Sequence, residues 1–189
     1  SLEALIIQDL GDLKRLDGFV GTMPELRGGR RSLAHGPELL AHLCAGNLPV
    51  PALVNLVLGV LTKSAQFFKL PSRGGMIPRM FAHSLAQLEP KLGACLEFAV
   101  WPREREDLED ALLAEADCVT VTGSDDRVQS VRRRVPAQTR CVAYGHRVSF
   151  SYIGAEMLTV YGLKRLASEA AGDVVAWNQQ GCLSPHVLY

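Results

Sequence analysis

Short runs of apolar, β-branched and aromatic residues alternate along this chain with longer segments whose apolar positions recur at spacings of three and four. "AQFFKL" (65–70), "CLEFAVW" (95–101), "CVTVTG" (118–123) and "RCVAYG" (140–145) belong to the first kind, and three of them are closed by glycine or proline. They read as strands. Between them, Met80, Phe81, Leu85 and Leu88, then Leu108, Ala111 and Leu112, then Val128, Val131 and Val135 mark one side of three amphipathic helices. A helix from Ala52 to Lys63 precedes this alternation and one from Tyr161 to Trp177 follows it. Strand, helix, strand repeated three times predicts an α/β fold, a Rossmann-like, mostly parallel sheet with helices on both faces.

Composition narrows the class. The 189 residues are 48% hydrophobic and 21% charged, which suits one domain with a sizeable core. Twenty basic residues balance twenty acidic ones, so no global field draws nucleic acid or an anionic membrane, and neither is expected as a partner. The apolar segment "LPVPALVNLVLGVL" is too short to span a bilayer and carries two prolines. Five cysteines, at 44, 95, 118, 141 and 182, form no C-x-x-C pair. Cys95, Cys118 and Cys141 sit in the apolar runs, the pattern of reduced core cysteines in a cytoplasmic protein.

Candidate chemistry collects at the predicted strand ends, where a doubly wound sheet binds its guests. Lys69 closes one strand and is followed by Ser72; Thr122, Gly123 and Ser124 close another; Gly145 follows a third. There is no G-x-G-x-x-G. Gly123 and Ser124 could hold a phosphate or ribose oxygen at a helix start, or could be a tight turn in which Ser124 caps a helix begun by Asp125 and Asp126. Cys182, between a glycine and Leu-Ser-Pro, is either a small core residue or a reactive thiol. The run Arg132, Arg133 and Arg134 follows an acidic helix and reads as a self-paired, solvated surface. His35, His42, Cys44 and His83 lack metal-ligand spacing, so no metal is expected.

Taken in order, "AGNLP", "FFKLPS", "VTGS", "AYGH" and "NQQGCLSP" resemble the acyl-CoA reductase family typified by the fatty acid reductase of luminous bacteria, a branch of the aldehyde dehydrogenase superfamily. The resemblance runs from about His35 to Tyr189. It implies that Cys182 is a nucleophile: its thiolate attacks an acyl-CoA thioester, coenzyme A leaves, and hydride from a nicotinamide releases an aldehyde. It implies that Asn47 and the backbone N–H of Cys182 hold the oxyanion, although Asn47 alone reads equally well as a turn residue before Pro49. His146 is a candidate acid or base for the thiol, or an ordinary hydrogen-bonded histidine.

Two departures sharpen the expectation. Hydrolytic relatives carry a water-activating glutamate where this chain has Ala143, which favours thioester reduction over oxidation to a free acid. NAD-preferring relatives often have a glutamate three residues after the strand lysine; here Ser72 and then Arg73 stand there, which favours NADPH, with NADH as the alternative and Lys69 serving either. The cofactor contacts implied are thus Lys69, Ser72, Arg73, Thr122, Gly123 and Ser124. The resemblance further implies residues 1–34 as a lead-in, residues 35–189 as an NAD(P)-binding domain, a substrate lobe outside this chain, and a homo-oligomeric whole protein. The competing reading is a nucleotide-binding module in which Cys182 is structural.

Overall fold

The computed structural model describes residues 2–189. Five strands, β1 (Leu39–Leu43), β2 (Ala65–Lys69), β3 (Leu96–Ala99), β4 (Cys118–Thr122) and β5 (Arg140–Tyr144), form one wholly parallel sheet in the order β3-β2-β1-β4-β5. Every crossover is helical: α3 (Val50–Leu61), then α4 (Met76–Leu88) with the short α5 (Pro90–Gly93), then α6 (Glu106–Glu115), then α7 (Asp125–Arg134). Before the sheet lie α1 (Leu2–Leu10) and α2 (Met23–Arg27); after it come α8 (Ala155–Tyr161) and α9 (Leu163–Val175).

Alternation along each strand divides the core into two layers. Ala41, Leu43, Val119 and Val121 pack with Leu112, Leu113, Val128 and Val131, the inward stripe of α6 and α7. On the other face Phe68 and Leu70 pack with Leu56 of α3 and Ala82 of α4. Helices therefore cover both faces, as the alternating pattern predicts. The register sets Leu43 beside Lys69 and Val121, and Thr122 beside Tyr144, so the carboxyl ends of the strands share one edge. Sequence order runs outward from β1 to β3, then restarts on the far side of β1 with β4. That reversal opens a crevice between the ends of β1 and β4.

The central strand β1 was not among the four strands predicted. Its sequence, "LLAHL", is interrupted by His42, which a propensity reading counts against a buried strand. The structure resolves the conflict with a hydrogen-bonded network. His42 Nδ1 lies 2.7 Å from Thr120 Oγ1 and Nε2 lies 3.1 Å from Gln66 Oε1. Gln66 Nε2 donates to the Leu56 carbonyl at 3.0 Å, and Asn55 Nδ2 donates to Thr120 Oγ1 at 3.3 Å. Because the Gln66 amide nitrogen is committed to Leu56, its oxygen accepts from His42 Nε2, leaving Nδ1 to accept the Thr120 hydroxyl proton. A neutral imidazole is thus fully satisfied, and burial pulls its pKa down to about 4.

Three other expectations change. The single helix from Tyr161 to Trp177 is instead α8 and α9, broken at Gly162, whose φ of +74° suits glycine. Cys95, read as core, is exposed, whereas Cys118 is buried and Cys141 half-buried; all five cysteines are unpaired thiols. A second, two-stranded sheet, also unforeseen, pairs β6 (Ser149–Ser151) in parallel with β7 (Pro185–Leu188). The self-paired reading of the arginine run holds for Arg134, which meets Glu106, Glu109 and Asp110. No helix among the described residues is long and apolar enough to cross a membrane.

Candidate active site

The crevice is built by loops that leave the strand ends. From β1 the chain passes through Ala45, Gly46 and Asn47 into α3, whose first turn contains Pro51, a residue suited to a helix start. From β4 it turns at Gly123 into α7. There the Ser124 hydroxyl accepts from the Arg127 N–H, with Asp125 and Asp126 in the first turn and three arginines in the last. Both choices suit the helix dipole. The capping reading of Ser124 is therefore correct as geometry, while its side chain also lines the crevice.

Cys182 reaches this edge from the far end of the chain. The short helical turn Ala176–Gln179 holds Trp177, Asn178 and Gln179 at positive φ, a conformation that costs about 1–2 kcal/mol per non-glycine residue. Gln179 compensates by donating its side-chain amide to the carbonyls of Val174 and Pro185. Ser184 Oγ donates to the Ala176 carbonyl at 3.1 Å, and the Ser149 hydroxyl donates to the Cys182 carbonyl. With the pairing of β6 and β7, these bonds fix the cysteine segment from both sides while its thiol remains exposed.

One cavity of about 590 Å³ gathers most of the anticipated residues. Asn47, Thr122, Gly123, Ser124, His146 and Cys182 all line it. A second cavity, of about 250 Å³, contains Lys69 and shares Ala45, Thr122, Gly123 and Ser124 with the first. Ser72 stands apart, in a cleft of about 580 Å³ beside Met76, Arg79 and Val100. Arg73 is exposed and its carbonyl would lie 3.2 Å from a Cβ at Gly46, so the loops after β1 and β2 pack closely. Ala143 sits in β5, half-buried against the α6 and α7 layer.

The sequence did not announce several contacts. Asn47 Nδ2 donates to the Gln180 carbonyl at 2.8 Å, joining the loop after β1 to the cysteine segment. Asp125 Oδ1 accepts the His146 backbone N–H at 2.8 Å, fastening the loop after β5 to the start of α7. His186 also lines the large cavity. Glu109, almost fully buried, pairs with both Arg127 and Arg134. Burial lowers the Lys69 pKa, and the neighbouring Arg127 charge adds to the effect. Burial pushes the Cys44 thiol up to about 12, against the pull of Lys69. No group of three or more potential metal ligands occurs among the described residues.

A parallel sheet of this order, with helices on both faces, is a fold that aldehyde dehydrogenases share. It is similar to the aldehyde dehydrogenase PutA of Anabaena variabilis, with a TM-score of 0.68 at 16% identity over 98% of this chain and 39% of that one. It is likewise similar to aldehyde dehydrogenase 21 of Physcomitrella patens, with a TM-score of 0.63 at 19% identity over 81% of this chain and 31% of that one. The chain belongs to the acyl-CoA reductase (LuxC) family, whose match covers residues 1–189. Among characterised relatives, the long-chain acyl-protein thioester reductase of Aliivibrio fischeri is 22% identical over 192 aligned positions, covering 100% of this chain and 38% of that protein. That of Photorhabdus laumondii is 23% identical over 151, covering 78% and 31%. The chain thus spans about a third of the length of these relatives.

Proposed function

We propose that these residues form the cofactor-binding part of a reductase that converts a long-chain acyl thioester to an aldehyde through Cys182. The observation that carries this reading is the common wall of the two crevice cavities, Ala45 with Thr122, Gly123 and Ser124, which joins the Lys69 end to the Cys182 end. A dinucleotide needs such a continuous path, with fixed donors at one end and a nucleophile at the other. The family description names an acyl-CoA, and the relatives are named for acyl-protein thioesters. The reacting carbonyl is the same in both, and acyl-CoA is the substrate we propose.

The residues fit a nicotinamide cofactor. Backbone N–H groups at the start of α7, the Ser124 hydroxyl and the Lys69 ammonium offer donors to phosphate and ribose oxygens. Ser72 and Arg73 bring no carboxylate to the β2 end, which favours NADPH over NADH. When bound, the cofactor supplies hydride. Cys182 attacks the thioester carbonyl, the thiol of the carrier departs, and the Cys182 thiolate is regenerated when aldehyde leaves. The Cys182 N–H and the second amide hydrogen of Asn47, not engaged by Gln180, are the proposed oxyanion donors. His146 is the proposed proton carrier for the thiol. Ala143 offers no carboxylate to activate water, so the acyl-enzyme is protected from hydrolysis.

Cys182→Ala in a full-length protein carrying this chain tests the assignment. Aldehyde formation from acyl-CoA is expected to disappear while NADPH affinity stays within about twofold, since the thiol and the adenosine end line different cavities. Substantial turnover by that variant would refute the role of Cys182.

A further inference from the structure

A second imidazole reaches the Cys182 cavity, and it comes from the cysteine's own segment. The Ser184 N–H donates to the Gly181 carbonyl at 3.1 Å, closing a turn with Cys182 and Leu183 at its centre. β7 follows at once, and its pairing with β6 slips: Ser149 stands opposite Pro185, but the next residue, Phe150, stands opposite Val187. His186 is the extra residue, left without a partner in the register. Such bulges re-aim a side chain, recur beside active sites and are rare in parallel pairs. Here Pro185 is buried, whereas His186 is exposed and lines the cavity of about 590 Å³ together with Cys182. Its ring makes no hydrogen bond or ion pair among the described residues, so both nitrogens are free.

Resting on the reading of Cys182 as the nucleophile, we propose that His186 is the acid–base group of the acyl-transfer step. The Cys182 sulfur bonds to the thioester carbonyl carbon as its proton passes to an imidazole nitrogen of His186. When the bond from that carbon to the carrier sulfur breaks, the imidazolium returns the proton to the departing thiolate. The proton lost by one thiol is gained by the other, so the step balances without an outside donor. Loss of the aldehyde later leaves a Cys182 thiolate, and the proton that resets it comes from solvent, the transfer left to His146. Anchoring separates the two histidines. The Gln179 side chain donates to the Pro185 carbonyl at 3.2 Å, and the hydroxyls of Ser184 and Ser149 donate to the carbonyls of Ala176 and Cys182, so the turn and the start of β7 are tied as one unit. His146 is held instead to α7, through its N–H bond to Asp125. A base must stay within hydrogen-bond reach of the proton it takes, which favours the group that shares the thiol's own frame.

The step can be read alone in a full-length protein carrying this chain, mixed with palmitoyl-CoA and no nicotinamide. Coenzyme A released in a single burst, measured by rapid quench, then counts acylation of Cys182. His186→Ala should slow that burst by about 100-fold or more, the usual contribution of a positioned acid–base group, whereas His146→Ala should slow steady-state turnover more than the burst. The other ionisable groups on the cavity wall besides Cys182 are Asp125, Tyr144, His146 and Arg147, and none of them stands on the cysteine segment. The deficit of His186→Ala should therefore shrink between about pH 7 and about pH 9, where hydroxide takes the thiol proton, and added imidazole should restore part of the rate. His186→Gln keeps a polar side chain without a base and should behave in the same way. A deficit relieved by neither pH nor imidazole would mean that His186 only shapes the turn, and it would overturn the proposal. So would a burst slowed by His146→Ala and not by His186→Ala. No burst from the wild type, or a burst that persists in Cys182→Ala, would overturn the nucleophile reading, and this proposal with it.

Discussion

Asn47 donates its side-chain amide to the carbonyl of Gln180 at 2.8 Å, across a separation of 133 residues in sequence. One end of the bond leaves the central strand; the other lies two residues before the exposed thiol. An asparagine amide has two hydrogens, so this contact can orient the group and still leave a donor for a developing oxyanion.

Asn47→Ala removes both functions. In a full-length protein carrying this chain, thioester turnover should fall by about 100-fold to 1000-fold, the usual consequence of losing one oxyanion donor, while NADPH affinity stays within about twofold. Steady-state kinetics with a separate binding titration would show it. A loss confined to KM would mean that Asn47 only shapes the loop.

Thiol reactivity should follow burial. Cys182 and Cys95 are exposed, Cys118 is buried, and burial drives the Cys44 thiol to about 12. At pH 7.5 a small alkylating reagent should modify Cys182 and Cys95 first and leave Cys44 among the last, as followed by peptide mass spectrometry over time. Cys95→Ser should keep the modification at Cys182 unchanged. Labelling of Cys44 at the rate of Cys182 would contradict the packing at the end of β1.

The α/β alternation was legible because its signals are local: apolar runs of six or seven residues, helix stripes at three and four, and glycine or proline at the ends. On α4 the stripe located the helix but not its buried face, since Met80, Phe81 and Leu88 are exposed and Ala82 is buried. The central strand was not, because His42 makes sense only beside Thr120 and Gln66, partners supplied by two other strands. The same limit applies at the site. The roles of Cys182 and Asn47 were read through motif resemblance and the Thr122–Ser124 turn from its place at a strand end, and all of them line one cavity. Glu109 was hidden in a charged stretch whose partners lie across the fold, so spacing alone could not separate it from a solvated surface. Ser72 and Lys69 look like neighbours in sequence, yet they line different cavities.

Gly59 tests how tightly α3 is docked. It lies inside that helix, where alanine would ordinarily gain about 1 kcal/mol. A Cβ there would overlap the side-chain amide of Gln66, which cannot swing away because it is held by His42 and the Leu56 carbonyl. Overpacking of that kind costs about 1–3 kcal/mol, and the loss of its two hydrogen bonds adds to it, so the clash outweighs the helix gain. Urea denaturation of Gly59→Ala should give a lower midpoint than the wild type. An equal or higher midpoint would show that Gln66 is freer than its bonds suggest.

The buried imidazole sets a pH dependence of stability whose sign is fixed by its burial, against the opposing pull of the Gln66 bond. Nδ1 of His42 accepts from Thr120, and the neighbours bonded to the ring, Thr120 and Gln66, are uncharged, so no negative charge beside the ring offsets the loss of water around a second proton. Folding therefore lowers the pKa from 6.5 to about 4, and between those values the unfolded chain binds a proton that the folded chain refuses. The contribution is fully present above pH 6.5, falls by about 1.4 kcal/mol per unit as the pH drops, and is exhausted near pH 4, a total of about 3 kcal/mol. Glu25 does not confuse the reading. Its bond to Arg15, with help from Thr22, lowers its pKa to about 2, so its window lies below its ordinary value of 4.5. Urea denaturation at half-unit steps from pH 4.5 to 7.5 should show stability rising with pH, and His42→Gln should flatten that slope whatever its overall stability. Should that variant fail to fold, the imidazole ring protons of His42 in the wild type offer the same test by NMR: they should not titrate above about pH 5.5. A midpoint near 6.5 would mean that water or a charged group reaches the ring and that the network does not close around a neutral histidine.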